Sequence, residues 1–453
     1  MKTKSSSSNS NFNVISTRIQ KEMKRLHVPG VAIGIYHKGK EWTAGFGVTS
    51  VENPLPVNSD TLMQIGSISK TFTATLLMIL AEQRKVNLDA PVRKYLKDFK
   101  LKDENVAKKV TVRNLLTHTG GWVGDYFNSF GDGDDALDKM VKDIAHLPQI
   151  QPLGKIWSYN NTGFNVASRV IEVVTKKSYE QALQEMLLDP LGLNMSFLYP
   201  SDILFTHRFV VGHQRVKGKV EVARPWAIGR AGNGVGGVVS TVKDLLKYAR
   251  FHMGNGNKII TRKSLKAMRV KQISAGGRGD MGITWFIRYA DGLTAYAHGG
   301  ATNGQQAHFF YIPEKDFALA ILTNSDEGGV ITAQTFGWAL DLYFGIKLKS
   351  PKPMKNPQDG KEFIGRYKIG TECFDIKTKG NQLVYHHIPL GGFPTPDAPP
   401  GPALAPMRFA FYDKDNLIGL DEPYNGALAD IIRDEKGRVK YFRVGGRAHL
   451  KIK

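Results

Sequence analysis

Cysteine, acidic side chains and long apolar runs are all scarce in this sequence of 453 residues. The one cysteine, Cys373, excludes an intramolecular disulfide and any metal site made of several thiolates. The Leu76–Ala81 run is far shorter than the ~20 residues that a membrane-spanning helix needs. The basic Met1–Lys4 segment is followed by serine and asparagine and lacks the apolar core of a secretory signal, so we expect a cytoplasmic protein.

The shortage of acidic residues leaves a formal net charge of +21 and a pI near 9.7. Such a balance raises the question of nucleic acid or an anionic membrane as a partner. Because the lysines and arginines are dispersed among acidic residues without a long basic run, they indicate a solvated surface, and we expect no nucleic-acid partner. Hydrophobic residues make up 42% of the chain, which is enough to build folded domains.

The apolar pattern divides the chain into four parts. Residues 1–11 are polar and predict a flexible tail. Residues 12–346 predict a domain in which strands at both ends enclose a mostly helical middle. Residues 347–361 are basic and contain proline, which predicts a linker. Residues 362–453 hold only short strands between turns, which indicates a small all-β domain.

One loop of the all-β part is rich in proline. It spans residues 394–406 and interrupts the short strands. A stiff loop inside a compact domain is costly unless it is positioned for a purpose. We expect the all-β domain to pack on the preceding domain and this loop to make the contact.

The strongest local signal is Gly66-Ser67-Ile68-Ser69-Lys70, at the start of a predicted helix. Ser67 and Lys70 are three residues apart, so they share one face of a helix. A serine hydroxyl becomes a good nucleophile when a base takes its proton, and a lysine can be that base when burial lowers its pKa. The helix is apolar on nearly all sides, which predicts a buried Lys70. Ser-x-x-Lys alone also fits a capping serine with a surface lysine, so further signals are needed.

Two further motifs follow in the chain. Tyr159-Asn160-Asn161 precedes a predicted helix, and His298-Gly299-Gly300 ends a predicted strand. With Ser67–Lys70 and their flanking residues, these motifs resemble the serine β-lactamase and penicillin-binding protein superfamily, in its class C β-lactamase, DD-peptidase and esterase branch (peptidase S12-like). The resemblance covers residues 14–345.

The resemblance implies an α/β (α+β) fold in which an antiparallel sheet is flanked by helices and joined to an all-helical subdomain. The residues 362–453 resemble the lipocalin-like β-barrel domains that follow the catalytic domain in some of these proteins, including D-aminopeptidases and peptide-cyclising relatives.

The resemblance also implies the catalytic roles. Ser67 would attack a carbonyl and become the acyl-enzyme, while Lys70 and Tyr159 would handle the protons. His298 stands where many family members have lysine, and it would lend positive or hydrogen-bonding character to the tyrosine side. Because histidine titrates near ~6.5 in the absence of shifts, a requirement for neutral His298 predicts activity that rises with pH through that range. Nearby Lys70 would favour the neutral imidazole and move this rise to lower pH.

Binding roles follow from the same resemblance. Asn161 would orient the substrate or Lys70, and Gly300 would let the substrate approach the strand edge. The backbone N–H groups of Ser67 and Ala301 would form the oxyanion hole, usually a large electrostatic contribution in acyl transfer. This chemistry needs no metal and no cofactor.

The predicted function is a serine hydrolase that cleaves ester or amide bonds of small molecules or peptides. Gly299 and Ala301 lack the hydroxyl groups that commonly grip a substrate carboxylate beside the third motif, which favours substrates without a strict carboxylate requirement. Arg230 or Thr302 would be other sources of such a grip.

Alternatives stay open. Within the family they are a D-amino-acid-specific peptidase, a peptide acyltransferase and a β-lactamase. Outside catalysis the alternative is a scaffold or sensor with this fold, against which the intact Ser67, Lys70 and Tyr159 argue. The sequence does not fix the oligomeric state and leaves a homo-oligomer open.

Overall fold

The computed structural model describes residues 10–206, 208–226, 228–355, 359–380, 382–391, 399–400, 403–422 and 424–453. Its α-helices are α1 Ser10–Leu26, α2 Ser69–Glu82, α3 Glu104–Lys109, α4 Val112–Leu116, α5 Ala136–Asp143, α6 Asn161–Thr175, α7 Tyr179–Leu183, α8 Asp189–Leu191, α9 Pro200–Ile203, α10 Val242–Met253, α11 Arg262–Ala267 and α12 Gly328–Phe344. In these described parts, no helix combines the length and the apolar character that crossing a bilayer requires.

The strands belong to a main sheet, a barrel and two small two-stranded sheets, β3-β6 and β4-β5. Their bounds are β1 Gly30–His37, β2 Lys40–Gly47, β3 Met63–Gln64, β4 His213–Val216, β5 Lys219–Val222, β6 Val239–Ser240, β7 Ile273–Ser274, β8 Asp280–Met281, β9 Phe286–Ala290, β10 Leu293–Thr302, β11 Gln305–Ile312, β12 Phe317–Thr323, β13 Gly365–Ile369, β14 Glu372–Lys379, β15 Gln382–Pro389, β16 Met407–Phe411, β17 Asn416–Gly419, β18 Leu428–Arg433, β19 Val439–Val444 and β20 Arg447–Lys451.

An eight-stranded antiparallel sheet forms the centre of the first domain, in the order β2-β1-β12-β11-β10-β9-β8-β7. Its middle strands are buried on both faces, which is why β12 consists almost entirely of apolar residues. Helices α1 and α12 cover one face, and α10 covers the other. Gly34 on β1 has no side chain, and this allows the Leu246 side chain of α10 to pack directly on the strand. The antiparallel sheet flanked by helices confirms the predicted fold class.

Helix α2 lies in the interior between the sheet and the helical middle. All residues from Ser69 to Leu80 are buried, including Lys70. This all-round burial explains why the helix is apolar on nearly every side. A single 3-10 turn, Gly66–Ile68, precedes α2 and carries Ser67. The site residues of the first motif therefore occupy the junction between a turn and a buried helix.

Strands β13 to β20 close into an eight-stranded antiparallel barrel with its own apolar core. The predicted all-β barrel is thus confirmed, although the sequence pattern had not indicated β18 or β20. Residues 1–9 of the predicted tail lie outside the described residues. Helix α1 begins at Ser10, which belongs to the last two residues of the predicted tail 1–11. The domain limits at residues 346 and 362 stay a prediction.

The barrel packs on the first domain through its last two strands and through β18, which contacts the turn Gly276–Arg278. Backbone and side-chain hydrogen bonds join Tyr159 N to Gly446 O (2.9 Å), Ala448 N to Ser158 Oγ (3.2 Å), Gln151 Nε2 to Ala448 O (2.6 Å), Arg443 Nη1 to Trp157 O (3.0 Å) and Tyr441 Oη to Ile150 O (3.1 Å). The contact thus involves the β19–β20 hairpin and the segment around Tyr159. Most of the proline-rich loop, which we expected at this contact, lies outside the described residues.

Candidate active site

Ser67 and Lys70 lie side by side, as their spacing predicted. Ser67 is half-buried in the 3-10 turn, and Lys70 is fully buried one turn later. The Lys70 Nζ atom is 2.9 Å from Ser67 Oγ and donates to the carbonyl oxygen of Val235 at 2.8 Å. Val235 belongs to a glycine-rich π-turn, Asn233–Gly237, that packs against α2. The hydrogen bond to Val235 therefore holds Lys70 Nζ in a position in which it faces Ser67 Oγ.

Burial lowers the pKa of Lys70 well below its usual value. The charge of Asp125 opposes this shift, and that of Arg447 adds to it. No carboxylate of the described residues lies within ion-pair distance of Lys70 Nζ, so the charged form has no direct counter-ion. A neutral amine has a lone pair, and its position 2.9 Å from Ser67 Oγ is suited to accepting the hydroxyl proton.

Tyr159 completes the cluster around Ser67. Desolvation raises the pKa of its phenol to about 12, although a hydrogen bond with Ser67 and the charge of Arg447 act in the opposite direction. The Lys70 Nζ atom lies 5.1 Å from the centre of the Tyr159 ring. The phenol is thus protonated over the working pH range. It can donate a proton to a leaving group, and it forms a hydrogen bond with the Ser67 hydroxyl.

His298 lies on β10 with its ring buried, 6.4 Å from the Tyr159 ring between centroids. Burial, followed by the charge of Lys70, lowers the pKa of His298 to about 3, so the ring is neutral at working pH. Its Nδ1 atom is 2.6 Å from the carbonyl oxygen of Gly299, which can only accept, so Nδ1 carries the proton. Nε2 is then an acceptor, and it has no partner among the described residues. His298 therefore offers hydrogen bonding and not positive charge, and a rise of activity near pH 6.5 is not expected from it.

Strand β10 runs directly past the Ser67 turn because two glycines face each other there. A methyl group on Gly66, whose φ is +52°, would lie 2.5 Å from the backbone nitrogen of Ala301. A methyl group on Gly300 would overlap the carbonyl oxygen of Ile65 and lie 3.2 Å from the Ser67 nitrogen. The glycines thus bring the Ala301 amide next to Ser67, as an oxyanion hole of these two amides requires.

Replacing Gly300 by alanine should therefore disrupt the site, whereas the neighbouring Gly299→Ala should not. At Gly299 the nearest atom to an added methyl group is the Ala307 carbonyl oxygen at 3.6 Å, an ordinary contact. We expect Gly300→Ala to lower kcat by at least 10²-fold, the size of effect seen when oxyanion stabilisation is damaged. Esterase kinetics and thermal unfolding of both variants check this. Equal activity of the two variants would show that the close approach of β10 to Ser67 is not needed.

Asn161 is the first residue of α6 and is buried. Its Nδ2 atom donates to Asp125 Oδ1 at 2.5 Å. Among the described residues, its amide does not hydrogen bond to Lys70, and the predicted role of Asn161 in orienting the substrate or Lys70 stays a prediction. The charge of Asp125 acts on both Lys70 and Tyr159, which places this pair at the edge of the cluster.

Four further side chains near the site lie outside the three sequence motifs. Asp125 holds Asn161, and Arg447 of the barrel forms an ion pair with Asp125 at 2.9 Å. The His118 ring stacks on Tyr159 at 4.3 Å between centroids. The His118 backbone has a φ of +54°, which is typical of a turn. The fourth is Arg278, an exposed arginine whose guanidinium forms no hydrogen bond or ion pair with any described residue.

Arg278 lies against the barrel hairpin beside the tyrosine. A methyl group on Gly446 would be 3.1 Å from Arg278 Nε and 3.2 Å from the Trp157 ring. Its charge acts on both Tyr159 and His298. Arg230, by contrast, already donates to Asp132 O at 2.7 Å and pairs with Asp134 and Glu180, so it is not free to bind a substrate.

Comparison with known proteins gives consistent matches. Residues 15–341 match the family model described as Beta-lactamase. Penicillin-binding protein 4 of Amycolatopsis lactamdurans is 32% identical over 360 residues, which cover 76% of this chain and 93% of that protein. Among solved structures, SurE matches 98% of this chain and 99% of its own with a TM-score of 0.78 and 22% identity, and it has also been solved with D-Leu. D-amino acid amidase from Ochrobactrum anthropi SV3 covers 74% of this chain and 99% of its own with a TM-score of 0.63 and 22% identity. At this identity the two structures establish the fold alone.

Proposed function

Because the chain belongs to the beta-lactamase family, we propose that Ser67 is the nucleophile of a serine hydrolase and forms an acyl-enzyme with its substrate. The activity class itself, a serine hydrolase of amide or ester bonds, follows from this membership. The assignment to Ser67 is supported by the Lys70 amine, which is buried, forms no ion pair among the described residues and lies 2.9 Å from Ser67 Oγ. Burial of a lysine without a counter-ion is costly unless the amine is neutral, and a neutral amine beside a serine is a base.

Acylation then proceeds with a defined path for the proton. Lys70 accepts the hydroxyl proton as Ser67 Oγ bonds to the substrate carbonyl carbon. The carbonyl oxygen becomes an oxyanion, which the amides of Ser67 and Ala301 stabilise. Tyr159 donates its proton to the leaving alcohol or amine as the tetrahedral intermediate collapses, and the proton on Lys70 restores the phenol.

Hydrolysis of the acyl-enzyme reverses the roles of the same groups. Neutral Lys70 takes the proton of Tyr159, and the phenolate takes a proton from the attacking water. The proton on Lys70 then passes to Ser67 Oγ as the tetrahedral intermediate collapses, which releases the acid product and restores the free enzyme. His298 Nε2 is a buried acceptor near this pair that has no partner among the described residues. An amine in place of water would give acyl transfer through the same steps.

The substrates are esters or amides of small molecules or of peptides. The side chains of Gly299 and Ala301 supply no hydrogen-bond donor beside β10, which supports substrates without a strict need for a carboxylate. A cytoplasmic location and a homo-oligomer stay predictions.

A second candidate is hydrolysis or transfer of peptides that carry a free carboxylate, and Arg278 favours it. Arg278 is an exposed residue next to Tyr159, the proposed acid for the leaving group, and its guanidinium has no hydrogen bond or ion pair among the described residues. An arginine fork binds a carboxylate through two parallel hydrogen bonds. SurE solved with D-Leu and the D-amino acid amidase are consistent with amino-acid substrates in proteins of this fold.

The two candidate functions can be distinguished by comparing the rates of the wild type and of the Arg278→Gln variant on a set of substrates. Rates are measured on p-nitrophenyl esters, D-amino-acid amides, a chromogenic cephalosporin and peptides with free or amidated carboxyl ends. For the first candidate we expect esters and neutral amides to be turned over equally by the wild type and by Arg278→Gln. For the second, Arg278→Gln should raise KM for the free-carboxylate peptide by about tenfold and leave the amidated peptide unchanged, since one charge-assisted interaction is lost. No turnover of any substrate and no labelling of Ser67 would contradict both.

A further inference from the structure

The carbonyl oxygen that holds Lys70 comes from an irregular segment of the chain. Val235 O accepts from Lys70 Nζ at 2.8 Å, and it belongs to the π-turn Asn233–Gly237. The preceding carbonyl oxygen, Gly234 O, accepts from Thr73 Oγ1 of α2 at 2.7 Å. Turns of the π type are rare and often occur at functional sites. Two consecutive carbonyls of this turn therefore bind α2, and the position of the turn sets the position of the Lys70 amine.

Helix α7 holds the π-turn through a buried carboxylate. Asn233 Nδ2 donates to Glu180 Oε1 at 2.7 Å, and both side chains are buried. The oxygen end of the same amide faces Gly237, where an added methyl group would lie 2.3 Å from Asn233 Oδ1. The Asn233 amide therefore spans the turn from its first residue to its last, and Glu180 binds its donor end.

The residue before Glu180 holds the same region by a second route. Tyr179 Oη and Thr73 Oγ1 are 2.8 Å apart, and both side chains are buried. The Thr73 hydroxyl proton is donated to Gly234 O, so the Tyr179 phenol is the donor to Thr73. Two consecutive residues of α7 thus hold α2 and the π-turn next to each other.

The other contacts of Glu180 are longer than its bond to Asn233. Glu180 Oε2 lies 3.4 Å from Arg230 Nη2 and accepts from Tyr199 Oη at 3.4 Å. A buried carboxylate is costly unless it is paired and hydrogen bonded, and an apolar side chain would fill the same space at a lower cost. The bond to Asn233 is therefore the interaction that best accounts for a carboxylate at this position.

We propose that Glu180 and Asn233 are positioning residues for Lys70. Their hydrogen bond holds the π-turn so that Val235 O directs Lys70 Nζ toward Ser67 Oγ. Among the described residues, neither side chain hydrogen bonds to Ser67 or Lys70, so both act through the backbone of the turn. The inference rests on the proposed function, because it concerns the base that activates Ser67.

Loss of the Asn233–Glu180 bond has two expected effects on Lys70. The amine is held less firmly beside Ser67, so kcat falls. A hydrogen bond to a carbonyl favours the ammonium form of a lysine, so a weaker bond to Val235 O lowers the pKa of Lys70 and moves the acid limb of kcat/KM to lower pH. A role confined to the stability of the fold would leave that limb in place.

The variants have to separate the hydrogen bond from the charges near it. The titratable and charged groups that face Lys70 are Asp125, Arg447, Tyr159, His118 and His298. Those around Glu180 are Arg230 with its partner Asp134, Glu172, Tyr179 and Tyr199. Asn233→Ala removes the amide donor and changes no charge. Glu180→Gln removes the charge and keeps an acceptor for Asn233.

The experiment compares Asn233→Ala, Glu180→Gln and Asp244→Ala in the full-length protein. Asp244 is the matched control, a buried carboxylate of α10 that accepts from Met195 N at 2.9 Å. The measurements are kcat and kcat/KM on p-nitrophenyl acetate from pH 5 to 10, together with thermal unfolding. We expect Asn233→Ala to lower kcat about tenfold and to move the acid limb down by about one pH unit, the size of effect of one hydrogen bond to a charged group.

Glu180→Gln and Asp244→Ala should lose stability and keep the acid limb within a few tenths of a pH unit of the wild type. If Asn233→Ala keeps the limb of the wild type, the proposal is overturned. It is also overturned if either of the other two variants moves the limb as far as Asn233→Ala does, because the limb then reports the charge or a general loosening of the fold.

A reciprocal pair covers the case in which Asn233→Ala does not fold. Asn233→Asp alone sets two carboxylates against each other and should lower kcat. Asn233→Asp combined with Glu180→Gln restores a donor and an acceptor in reversed order, so most of the lost kcat should return. A double variant that is no more active than Asn233→Asp would overturn the proposal.

Fluorophosphonate labelling of the wild type keeps the two levels of inference apart. Absent labelling contradicts the role of Ser67 and with it the proposed function. Labelling of Ser67 together with an unmoved limb in Asn233→Ala contradicts only the roles of Glu180 and Asn233.

Discussion

Replacing Ser67 by alanine should abolish labelling by a fluorophosphonate probe and lower turnover by several orders of magnitude. The hydroxyl 2.9 Å from Lys70 Nζ is the atom proposed to carry the acyl group, and among the described residues it is the hydroxyl that hydrogen bonds to Lys70. The oxyanion-hole amides remain in the variant, so a residual acceleration of roughly 10³–10⁴ over water is expected, as in other serine enzymes without their nucleophile. Mass spectrometry of the labelled protein and steady-state kinetics measure the two effects.

Ser69→Ala is the matched control for this variant. Ser69 lies two residues away and is buried, and its Oγ accepts from the backbone N–H of Val238 at 3.1 Å, outside the catalytic cluster. We expect it to lose some stability and to keep labelling at Ser67. Near-normal turnover by Ser67→Ala, in a preparation free of wild type, would rule out the acyl-enzyme mechanism.

The site residues that could be predicted are those whose chemistry is encoded in short spacing. Ser67 and Lys70 are three residues apart, and one helical turn is enough to bring them together. His298 and Gly300 lie on one strand, so their relation to each other also follows from local geometry. The buried helix after Ser67 could be predicted because its apolar run leaves no polar face.

The residues that were missed depend on contacts between distant parts of the chain. Asp125 and Arg447 are 322 residues apart, and neither lies in a pattern that indicates a function. Arg447 begins β20, a strand with mixed polar and apolar residues that gives no clear alternation. Arg278 lies in a short glycine turn that is placed by the barrel, since a methyl group on Gly277 would contact Leu428 of β18. The local sequence around these residues contains no pattern that predicts a contact between the barrel and the first domain.

The electrostatic state of the site also required the structure. A histidine in place of lysine predicted a titration within the physiological range, but burial and the nearby Lys70 lower the pKa of His298 to about 3. The residue is therefore a neutral acceptor, and the positive character expected from the family comparison is absent from this position. Arg278 and Arg447 supply positive charge to the tyrosine side instead.

The pH dependence of kcat/KM should consequently be set by Lys70. The active form has a neutral amine, so activity rises as pH increases through the pKa of Lys70, which burial places well below its ordinary value. His298, with a pKa of about 3, is already neutral above pH 5 and contributes no limb there. Tyr159, with a pKa of about 12, causes no alkaline fall up to pH 10. We expect one rise followed by a plateau, measured from pH 5 to 10.

Lys70→Met should lower kcat by 10²–10⁴-fold, the typical contribution of a general base, and abolish the acid limb. Methionine is similar in length and apolar, so it suits the buried position between α2 and the Val235 turn, and thermal unfolding should show no loss of stability. His298→Gln is the matched comparison, since it keeps an acceptor and removes the titratable ring. Its acid limb should stay within a few tenths of a pH unit of the wild type, because removing a neutral ring removes no charge that acts on the pKa of Lys70. If the limb instead disappears in His298→Gln and persists in a residually active Lys70→Met, the titrating group is His298, and the proton acceptor of Ser67 lies on the β10 side of the site.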